Sequence, residues 1–399
     1  MSRTYDIVVA GAGAAGIAAA ASARATDTAC SILLINAEDR PPYLRTQISK
    51  HLNEGYKPGQ FALHDEQWYA DQHIDRLDGL AVQSIDRTQG RIALSDESEP
   101  IAYSRLVLAT GGDPMFPKIV RPHEQGSFFV LRSAKDGEEL RSRVGRARSV
   151  LIAGMGVLAV ELAQQLSAMG KKVTLAGATP QLIPRQLNAR GGEILEDALS
   201  RAGVRMLFQE EILSFERNKK NWSVEMLKHS ERYDVVVFCI GVEPRSALAS
   251  EAGLEVDRGI VVDDRFRSSD PQILAAGDCA QLPDGSVSYL WSTAEQQGRI
   301  AGINAAGGEA AYVTLPDRLS SSVFGHYVFS IAKPREPWSY EIDEFENDKQ
   351  YYALYWNPDS TLRGAVMLND EDYAGDLETA AREGWSRSRV LKTLELEAD

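Results

Sequence analysis

Cysteine is scarce in this chain, and its scarcity excludes several kinds of site. The 399 residues contain Cys30, Cys239 and Cys279 and no other cysteine. Their odd number, wide separation and lack of a C-x-x-C pair are not typical of a disulfide framework or of a structural zinc site, so no metal is predicted. Isolated thiols favour a reducing compartment, which we take to be the cytoplasm. Each cysteine is interpreted as a small packing residue.

Long apolar runs and an excess of positive charge are also missing. No run approaches the roughly 20 apolar residues of a membrane-spanning helix, and the N-terminus lacks the cationic start of a signal peptide. Lysine and arginine number 43 against 57 aspartates and glutamates, which gives a formal net charge of −14 at pH 7. Because binding to phosphate backbones requires clustered cations, we expect no nucleic-acid partner and no membrane partner.

Glycine, in contrast, stands at informative positions near the start of the chain. Residues 7–16 read IVVAGAGAAG, in which Gly11, Gly13 and Gly16 form a G-x-G-x-x-G between an apolar strand and an alanine-rich helix. Gly11 permits a tight turn, Gly13 lets the backbone approach a pyrophosphate, and Gly16 lets the helix pack on the strand. The phosphates then meet free N–H groups at a helix N-terminus. With a second strand at residues 31–35, the pattern predicts a dinucleotide site.

The same signal recurs in the middle of the chain. Residues 149–166 read SVLIAGMGVLAVELAQQL, with Gly154, Gly156 and Ala159 in G-x-G-x-x-A spacing between a strand and a helix. Two such units predict two bound dinucleotides, or one dinucleotide and a vestigial site. The apolar face of the second helix is predicted to consist of Leu158, Leu162 and Leu166.

The residue that normally binds a ribose hydroxyl through a carboxylate is neutral in both units. It is Asn36 in the first unit, with Glu38 as the alternative, and Gly177 in the second. Loss of a charge-assisted hydrogen bond costs about 1.5–3 kcal/mol, or roughly one to two powers of ten in affinity. We therefore expect weakened discrimination between NADH and NADPH, and the choice between them stays open.

Two later strands end in small-residue turns. Residues 105–112 read RLVLATGG, and residues 273–278 read ILAAGD before a helix at about 292–306. Beyond Pro316 the pattern changes to short strands, with a terminal helix from about Asp376. The predicted domains are a first dinucleotide-binding domain in two segments, 1–115 and 246–314, a second dinucleotide-binding domain at 116–245, and an α+β domain at 315–399.

Together these motifs resemble the FAD-dependent pyridine nucleotide reductases, the flavoprotein family that binds two dinucleotides. The motifs GAGAAG, LATGG, GMGVLAVELA, CIGVEPR and AAGDCAQ occur in the family's order. The resemblance implies an α/β fold of two Rossmann-like three-layer domains, for FAD and NAD(P), plus a small α+β C-terminal domain. In that family the first glycine turn holds the ADP half of FAD, and the second holds NAD(P)H against the flavin ring.

Two further segments resemble one branch of the family, the rubredoxin and ferredoxin reductases. Residues 41–52 read PPYLRTQISKHL, which the pattern alone predicts as a surface loop with one helical turn. YLRTQISK nevertheless resembles the Y-x-R-x-x-L-S-K of these reductases, and LWSTAEQQGRIAG resembles their tryptophan-containing flavin segment. IPRQLNARGG and the short C-terminal domain favour the NADH:rubredoxin reductases. SSSVFGHYVFS lacks the tryptophan-rich motif of the oxygenase-coupled ferredoxin reductases.

The resemblance also implies site residues. Lys50 is expected near flavin N5, paired with Glu161, and Trp291 is expected to shield the flavin or to conduct single electrons, although a packing tryptophan is the alternative. Asp278 is expected to bind the ribityl chain. The residues expected to contact a cofactor are Gly11, Gly13, Ala14, Ala15, Gly16, Asn36, Ala37, Arg45, Lys50, Ala109, Thr110, Gly111, Gly154, Gly156, Gly241, Gly277, Asp278 and Gln297.

Residues 41–52 contain no cysteine, so the thiol relay of the disulfide reductases is missing there. We expect electrons to pass from NAD(P)H through FAD directly to a small iron protein, rubredoxin or ferredoxin. An oxidase that reduces oxygen or a small molecule, and an FAD-binding scaffold with a degraded nicotinamide site, remain alternatives. Docking of an acidic carrier would require a basic rim, for which Arg45, Lys333 and Arg335 are candidates. The chain is expected to be a monomer or a homodimer.

Overall fold

The computed structural model describes residues 3–57, 59–96, 98–313, 316–334 and 339–396. The strands up to residue 114 are β1 (Thr4–Ala10), β2 (Ile32–Asn36), β3 (Ile74–Asp78), β4 (Val82–Asp86), β5 (Arg91–Leu94), β6 (Ile101–Leu108) and β7 (Gly112–Pro114). Those up to residue 238 are β8 (Ser149–Ala153), β9 (Lys172–Gly177), β10 (Arg205–Phe208), β11 (Ile212–Arg217), β12 (Trp222–Met226), β13 (Ser230–Tyr233) and β14 (Val235–Phe238).

The remaining strands are β15 (Val242–Pro244), β16 (Ile260–Val261), β17 (Ile273–Ala275), β18 (Ala280–Gln281), β19 (Arg318–Val323), β20 (His326–Ile331), β21 (Glu341–Glu346), β22 (Tyr351–Trp356) and β23 (Leu362–Leu368). The α-helices are α1 (Ala14–Thr26), α2 (Glu66–Asp71), α3 (Ala134–Val144), α4 (Val157–Ala168), α5 (Ala189–Arg201), α6 (Ala247–Glu251), α7 (Trp291–Ala305), α8 (Ala374–Glu383) and α9 (Arg387–Thr393).

These elements belong to two compact units. The first unit comprises Met1–Gln47, Lys57–Asp113 and Gly241–Thr314, and the second comprises Ile48–Tyr56, Pro114–Ile240 and Leu315–Asp399. The short segment 48–56 therefore belongs to the second unit, although the residues before and after it in the sequence belong to the first. The domain boundaries given by the sequence stay a prediction.

The first unit is built on a sheet of order β3-β2-β1-β6-β5-β4, with β17 beside β6. β2 and β3, with β1, β6 and β17, run parallel, and β4 and β5 form an antiparallel hairpin. Ile7, Val8 and Val9 in β1 are all buried, which is typical of a parallel strand covered on both faces. The register brings the carboxyl ends of the parallel strands to one edge.

Helices α1 and α7 cross at unusually close range on this sheet. A Cβ built on Gly298 would lie 2.1 Å from the carbonyl oxygen of Ala15, and one on Gly302 would lie 2.1 Å from that of Ala19. Only glycine in α7 and small residues in α1 permit this approach, because any larger side chain would fill the space between the backbones. The alanine-rich composition of α1 therefore serves helix packing.

The second unit contains a parallel sheet, β10-β9-β8-β14, an antiparallel sheet, β11-β12-β13, and the C-terminal antiparallel sheet β19-β20-β23-β22-β21. Phe128, Phe215, Trp222 and Phe238 pack their rings together in the core of the first two sheets. Helices α8 and α9 cover one face of the C-terminal sheet. The α/β fold class with Rossmann-like domains and a small α+β domain is confirmed.

Several local predictions were wrong. Residues 41–52 contain helical turns, as predicted, at Arg45–Gln47 and Ser49–His51, but they do not lie wholly on the surface, because Ile48, Ser49 and Leu52 are buried. By contrast, the strand within 105–112 does end in the predicted small-residue turn, since β6 ends at Leu108 and Ala109, Thr110 and Gly111 follow. The terminal helix is two helices, because Gly384 adopts a left-handed conformation (φ +63°) that ends α8.

The predicted apolar face of the second glycine-turn helix was also partly wrong. Leu162 and Leu166 are fully buried, but Leu158 is only partly buried. Ala159, Val160 and Ala163 complete the buried face. The buried face of α4 therefore combines two of the three predicted leucines with alanine and valine, and these smaller residues let the helix lie close to β8 and β9.

Candidate active site

Four predicted cofactor segments follow the carboxyl ends of adjacent strands in the first unit. The backbone N–H of Gly11 donates to Ile35 O (2.9 Å), that of Ala109 donates to Ala10 O (2.8 Å), and that of Ala276 donates to Leu108 O (3.0 Å). The sheet thus continues one residue past each strand. Beyond that point lie the glycine turn 11–16, Ala37 after β2, Ala109, Thr110 and Gly111 after β6, and Gly277 and Asp278 after β17.

The first glycine turn has the shape that a pyrophosphate requires. Gly11 has φ +114°, and a Cβ there would lie 2.1 Å from Ala109 O, while one on Gly16 would lie 1.8 Å from Gly11 O. A Cβ on Gly13 would meet nothing within 4 Å. Gly13 is also the N-cap of α1, and no described side chain caps that helix, whose first residues are Ala14 and Ala15. Gly11 and Gly16 therefore pack against backbone atoms, whereas Gly13 borders free space at the N-terminus of α1, where an anion could bind the N–H groups.

A second feature of the first unit fits a bound group in the same place. Gln297, only 1% exposed, accepts the Gly277 N–H through Oε1 (2.8 Å), while its Nε2 has no hydrogen-bond partner among the described residues. Gly277 has φ +81°, and its Cβ would lie 2.9 Å from Cβ of Ala15. Asp278, 8% exposed, follows directly. The buried, unpaired amide N–H group indicates an acceptor that the protein itself does not supply.

The two candidates for the ribose-binding residue of the first unit, Asn36 and Glu38, both form hydrogen bonds within the protein. Asn36 donates through Nδ2 to Arg40 O and to Asp78 Oδ1, both at 2.7 Å, and accepts from the Glu38 N–H. The Glu38 carboxylate accepts from Tyr43 Oη (2.8 Å) and pairs with Arg45 (2.5 Å). Of the two candidates, Glu38 is therefore the residue with the charge, and Arg45 neutralises it.

The glycine turn of the second unit repeats the geometry of the first. Gly154 has φ +141°, and its Cβ would lie 2.3 Å from Cys239 O, whereas a Cβ on Gly156 would meet nothing within 4 Å. Gly156 is the N-cap of α4 and, within the described part of the chain, no side chain caps that helix. Ala159, at the third position of the motif, is fully buried.

Gly177 lies at the carboxyl end of β9, beside this turn. A Cβ built on Gly177 would lie 2.9 Å from Cγ of Met155, the residue between the two glycines. Met155 is 4% exposed. The thioether side chain therefore fills the space where an acid at position 177 would begin, and this contact could not be read from the motif spacing.

The structure brings Lys50 and Glu161 together in the second unit. Lys50 Nζ lies 3.9 Å from Glu161 Oε1. The same carboxylate accepts two shorter hydrogen bonds, from Ser49 Oγ to Oε2 and from Ser321 Oγ to Oε1, both at 2.6 Å. The sequence placed Ser49 in a matched motif without giving it a role, and nothing in the sequence pointed to Ser321.

The other predicted site residues have plainer surroundings. Trp291 begins α7 and is partly exposed, so it is not a fully buried packing residue. Thr110 Oγ1 donates to Arg245 O at 2.9 Å. Gly241 has φ +118°, a conformation that favours glycine and follows the second unit's β14 by three residues.

None of the three cysteines has the environment of a reactive thiolate. Burial raises the pKa of the Cys30 thiol, that of Cys279, and that of Cys239 to about 12. Reactive cysteines have lowered pKa values because nearby cations or helix N-termini stabilise the thiolate. The interpretation of these residues as packing side chains agrees with these directions.

Two open glycine turns, each at the carboxyl edge of a parallel sheet, define a protein of the dinucleotide-binding oxidoreductase class. The chain belongs to the pyridine nucleotide-disulphide oxidoreductase family, whose model matches residues 5–298. It is an NAD(P)H-dependent flavoprotein oxidoreductase with FAD as cofactor. The open turns and the unpaired Gln297 amide fit these dinucleotides.

Known relatives extend the match over nearly the whole chain. The ferredoxin–NAD(+) reductase component of the biphenyl dioxygenase system of Paraburkholderia xenovorans is 33% identical over 279 residues, 69% of this chain and 68% of that protein. A rubredoxin–NAD(+) reductase of Alcanivorax borkumensis is 28% identical over 373 residues, 92% and 95% of the two chains. The crystal structure of a ferredoxin reductase from Rhodopseudomonas palustris superposes with a TM-score of 0.85 at 25% identity, covering 98% of this chain and 100% of that one.

Across the described ranges, none of the helices combines the length and the apolar composition needed to cross a membrane.

Proposed function

We propose that this flavoprotein takes electrons from NAD(P)H and passes them through FAD, without a cysteine relay, to a small iron protein such as rubredoxin. Two observations support the proposal. The two open glycine turns have room for two dinucleotides, and burial raises the pKa of all three cysteine thiols, which does not favour a reactive thiolate. When bound, FAD accepts two electrons as a hydride and releases them singly, which links a nicotinamide to a one-electron iron centre. The names of relatives that reduce rubredoxin or ferredoxin support the choice of acceptor.

In this proposal the first glycine turn holds the FAD pyrophosphate. The N–H groups at the start of α1 bind it, and Gly13 leaves the space that it needs. Asp278 holds the ribityl chain as a hydrogen-bond acceptor, and the unpaired Nε2 of Gln297 donates to the same cofactor. Gly154 and Gly156 hold the pyrophosphate of NAD(P)H at the start of α4 in the same way.

Lys50 supplies a positive charge in the proposed mechanism. An ammonium group beside the flavin stabilises the negative charge that develops on reduction, and such fixed charges are effective in a site from which water is excluded. Glu161 holds Lys50, and Trp291 is proposed to cover the flavin. The roles proposed for these three side chains are electrostatic and steric.

The test is anaerobic reduction of the purified yellow protein, first with NADH and then with NADPH, followed by addition of oxidised rubredoxin. We expect the flavin absorbance to bleach with at least one nucleotide and to return when rubredoxin is added. Gly156→Val, whose Cβ would meet no protein atom within 4 Å in the open space of the second turn, should retain FAD and lose bleaching.

Other outcomes would select another function. Absence of bleaching with both nucleotides would contradict reductase activity and favour an FAD-binding scaffold. Bleaching with turnover on oxygen that rubredoxin does not improve would favour an oxidase. Reoxidation by ferredoxin but not by rubredoxin would keep the reductase and change the carrier.

A further inference from the structure

Three chain segments meet at the Glu161 carboxylate. Ser49 comes from the 3-10 turn Ser49–His51, Glu161 from α4, and Ser321 from β19 of the C-terminal sheet. Both hydroxyls are buried, Ser49 at 3% and Ser321 at 5% exposure. Their 2.6 Å distances to the carboxylate oxygens are in the range of charge-assisted O–H···O⁻ bonds.

Lys50 is held more loosely than the two serines. Its Nζ lies 3.9 Å from Glu161 Oε1, beyond hydrogen-bond distance, and its side chain is 35% exposed while that of Glu161 is 11% exposed. Because each carboxylate oxygen already has a short hydroxyl donor, the carboxylate attracts the ammonium without requiring it as a direct donor. The cation remains available to a second anion.

The contact between α4 and the hairpin of β19 and β20 is fixed at a second point. Gln164, about one turn after Glu161, accepts the backbone N–H of Phe324 in the hairpin turn. Phe324 has φ +49°, and Gly325 follows with φ +80°. Ser321 thus approaches Glu161 from a strand whose following hairpin turn is anchored to the same helix, so its position does not depend on the Ser321 hydroxyl alone.

We propose that Ser49 and Ser321 are positioning residues that occupy the Glu161 carboxylate and thereby keep the Lys50 ammonium directed at the flavin. The inference rests on the proposed role of Lys50. Without the Ser321 hydroxyl, Oε1 would have no short donor among the described residues, and the ammonium 3.9 Å away would close on it as a direct hydrogen-bond donor. Lys50 would then be held closer to Glu161 and farther from the flavin.

The variant Ser321→Ala should therefore behave like a partial loss of Lys50. We expect the limiting rate of flavin reduction by saturating NAD(P)H to fall about tenfold, the loss produced by removing one hydrogen bond to a charged group. The affinity for the nucleotide should be unchanged, because Gly154 and Gly156 are not affected. Ser49→Ala removes the donor to the other oxygen and should act in the same direction.

Ser320 offers a matched control on the same strand. It is exposed, points to the opposite face of β19, and bonds to Tyr327 Oη at 3.0 Å. Ser320→Ala should leave the rate unchanged, and Ser321→Thr, which keeps a hydroxyl, should restore most of it. If Ser321 acts through Lys50, then Ser321→Ala combined with Lys50→Met should be no slower than Lys50→Met alone.

The surroundings of Lys50 can be followed by NMR of the oxidised holoenzyme after its lysines are labelled by ¹³C-dimethylation. The Lys50 signal is identified as the one that is missing in Lys50→Arg. The Lys50 signal should shift in Ser321→Ala and Ser49→Ala and not in Ser320→Ala. The midpoint potential of the flavin, measured by spectroelectrochemistry, should fall in the same two variants, since a withdrawn cation stabilises the reduced flavin less.

An unmoved Lys50 signal, or rate losses that multiply in the double variant, would overturn the positioning role. A shifted signal with an unchanged rate in Lys50→Met would keep the positioning role and refute the role proposed for Lys50. Failure of the wild-type flavin to bleach would refute the proposed function, and the NMR comparison would still decide the roles of Ser49 and Ser321.

Discussion

At the scale of single residues, the middle glycine of each turn differs from its neighbours in what surrounds it. Gly11 and Gly154 have positive φ and face backbone carbonyls, whereas Gly13 and Gly156 face open space. The fold requires glycine at positions 11 and 154, whereas Gly13 and Gly156 leave room for a ligand. We therefore expect a side chain at Gly11 to destabilise the fold, and one at Gly156 to leave the fold intact and affect only the proposed nucleotide site.

Gly177 is the residue at which coenzyme preference should be easiest to change. We expect Gly177→Glu to tighten NADH binding by roughly one to two powers of ten, since it supplies a charged acceptor for the ribose hydroxyl, and to weaken NADPH binding by charge repulsion. The Met155 side chain must move slightly to admit the new Cβ. Dissociation constants for both nucleotides, measured by calorimetry, give the ratio.

The neutral variant Gly177→Gln is the control for this change in charge. It has the same length and should shift the NADH to NADPH ratio much less. A ratio that is the same in the glutamate and glutamine variants would show that the ribose does not lie at position 177.

At the scale of elements, the α1–α7 crossing connects packing to cofactor binding. Gly302→Ala would place a methyl group 2.1 Å from Ala19 O, so the helices must separate. Overpacking of this kind costs about 1–3 kcal/mol. Because α1 carries the glycine turn at its N-terminus, we expect a lower melting temperature by circular dichroism and less FAD retained after gel filtration.

Gly375 provides the comparison for that substitution. It lies in α8, where a Cβ would meet nothing within 4 Å, so Gly375→Ala should leave stability unchanged or raise it slightly. Equal FAD retention in wild type and Gly302→Ala would show that the helices tolerate the methyl group and that their separation does not govern the turn.

The segment 48–56 is the second element with consequences for function. The sequence pattern predicted a surface loop with one helical turn over residues 41–52, yet Ile48, Ser49 and Leu52 are buried within the second unit. Its hydrophobic residues have no helical or strand period, so burial could not be predicted from spacing. Lys50, the residue in this segment with a proposed role, lies beside Glu161 of α4, more than a hundred residues away in sequence.

At the scale of the whole molecule, the net charge of −14 opposes the approach of an acidic carrier. The proposed docking rim has little free positive charge among its described members. Arg45 pairs with Glu38, and burial lowers the pKa of Lys333, whose Nζ donates to Pro184 O at 3.2 Å. Arg335 lies outside the described residues.

The salt dependence of rubredoxin reduction tests whether local cations guide docking. If a basic rim guides the carrier, the second-order rate should fall as salt rises from about 0.01 M to 1 M, over which the Debye length shrinks from about 30 Å to about 3 Å. Stopped-flow bleaching by NADH serves as the internal control, because it does not involve the carrier. A rate that is constant, or that rises with salt, would refute guidance by a basic rim.

The sequence by itself determined the family, the two glycine turns and the α/β class. These depend on short motifs in which the residue type follows from local backbone geometry, as in the tight turn at Gly11. The strands β19 and β23 were not predicted, because the serine-rich β19 shows no apolar alternation and gains its burial only from packing.

Only the tertiary structure decided which side chains share a site. Ser49, Glu161 and Ser321 lie up to 272 positions apart in the sequence, and their hydroxyls and carboxylate meet because separate elements pack together. Gly177 and Met155 meet for the same reason. A motif reports what the backbone needs near one residue, whereas the charge and space around a side chain depend on distant segments that contribute no local pattern.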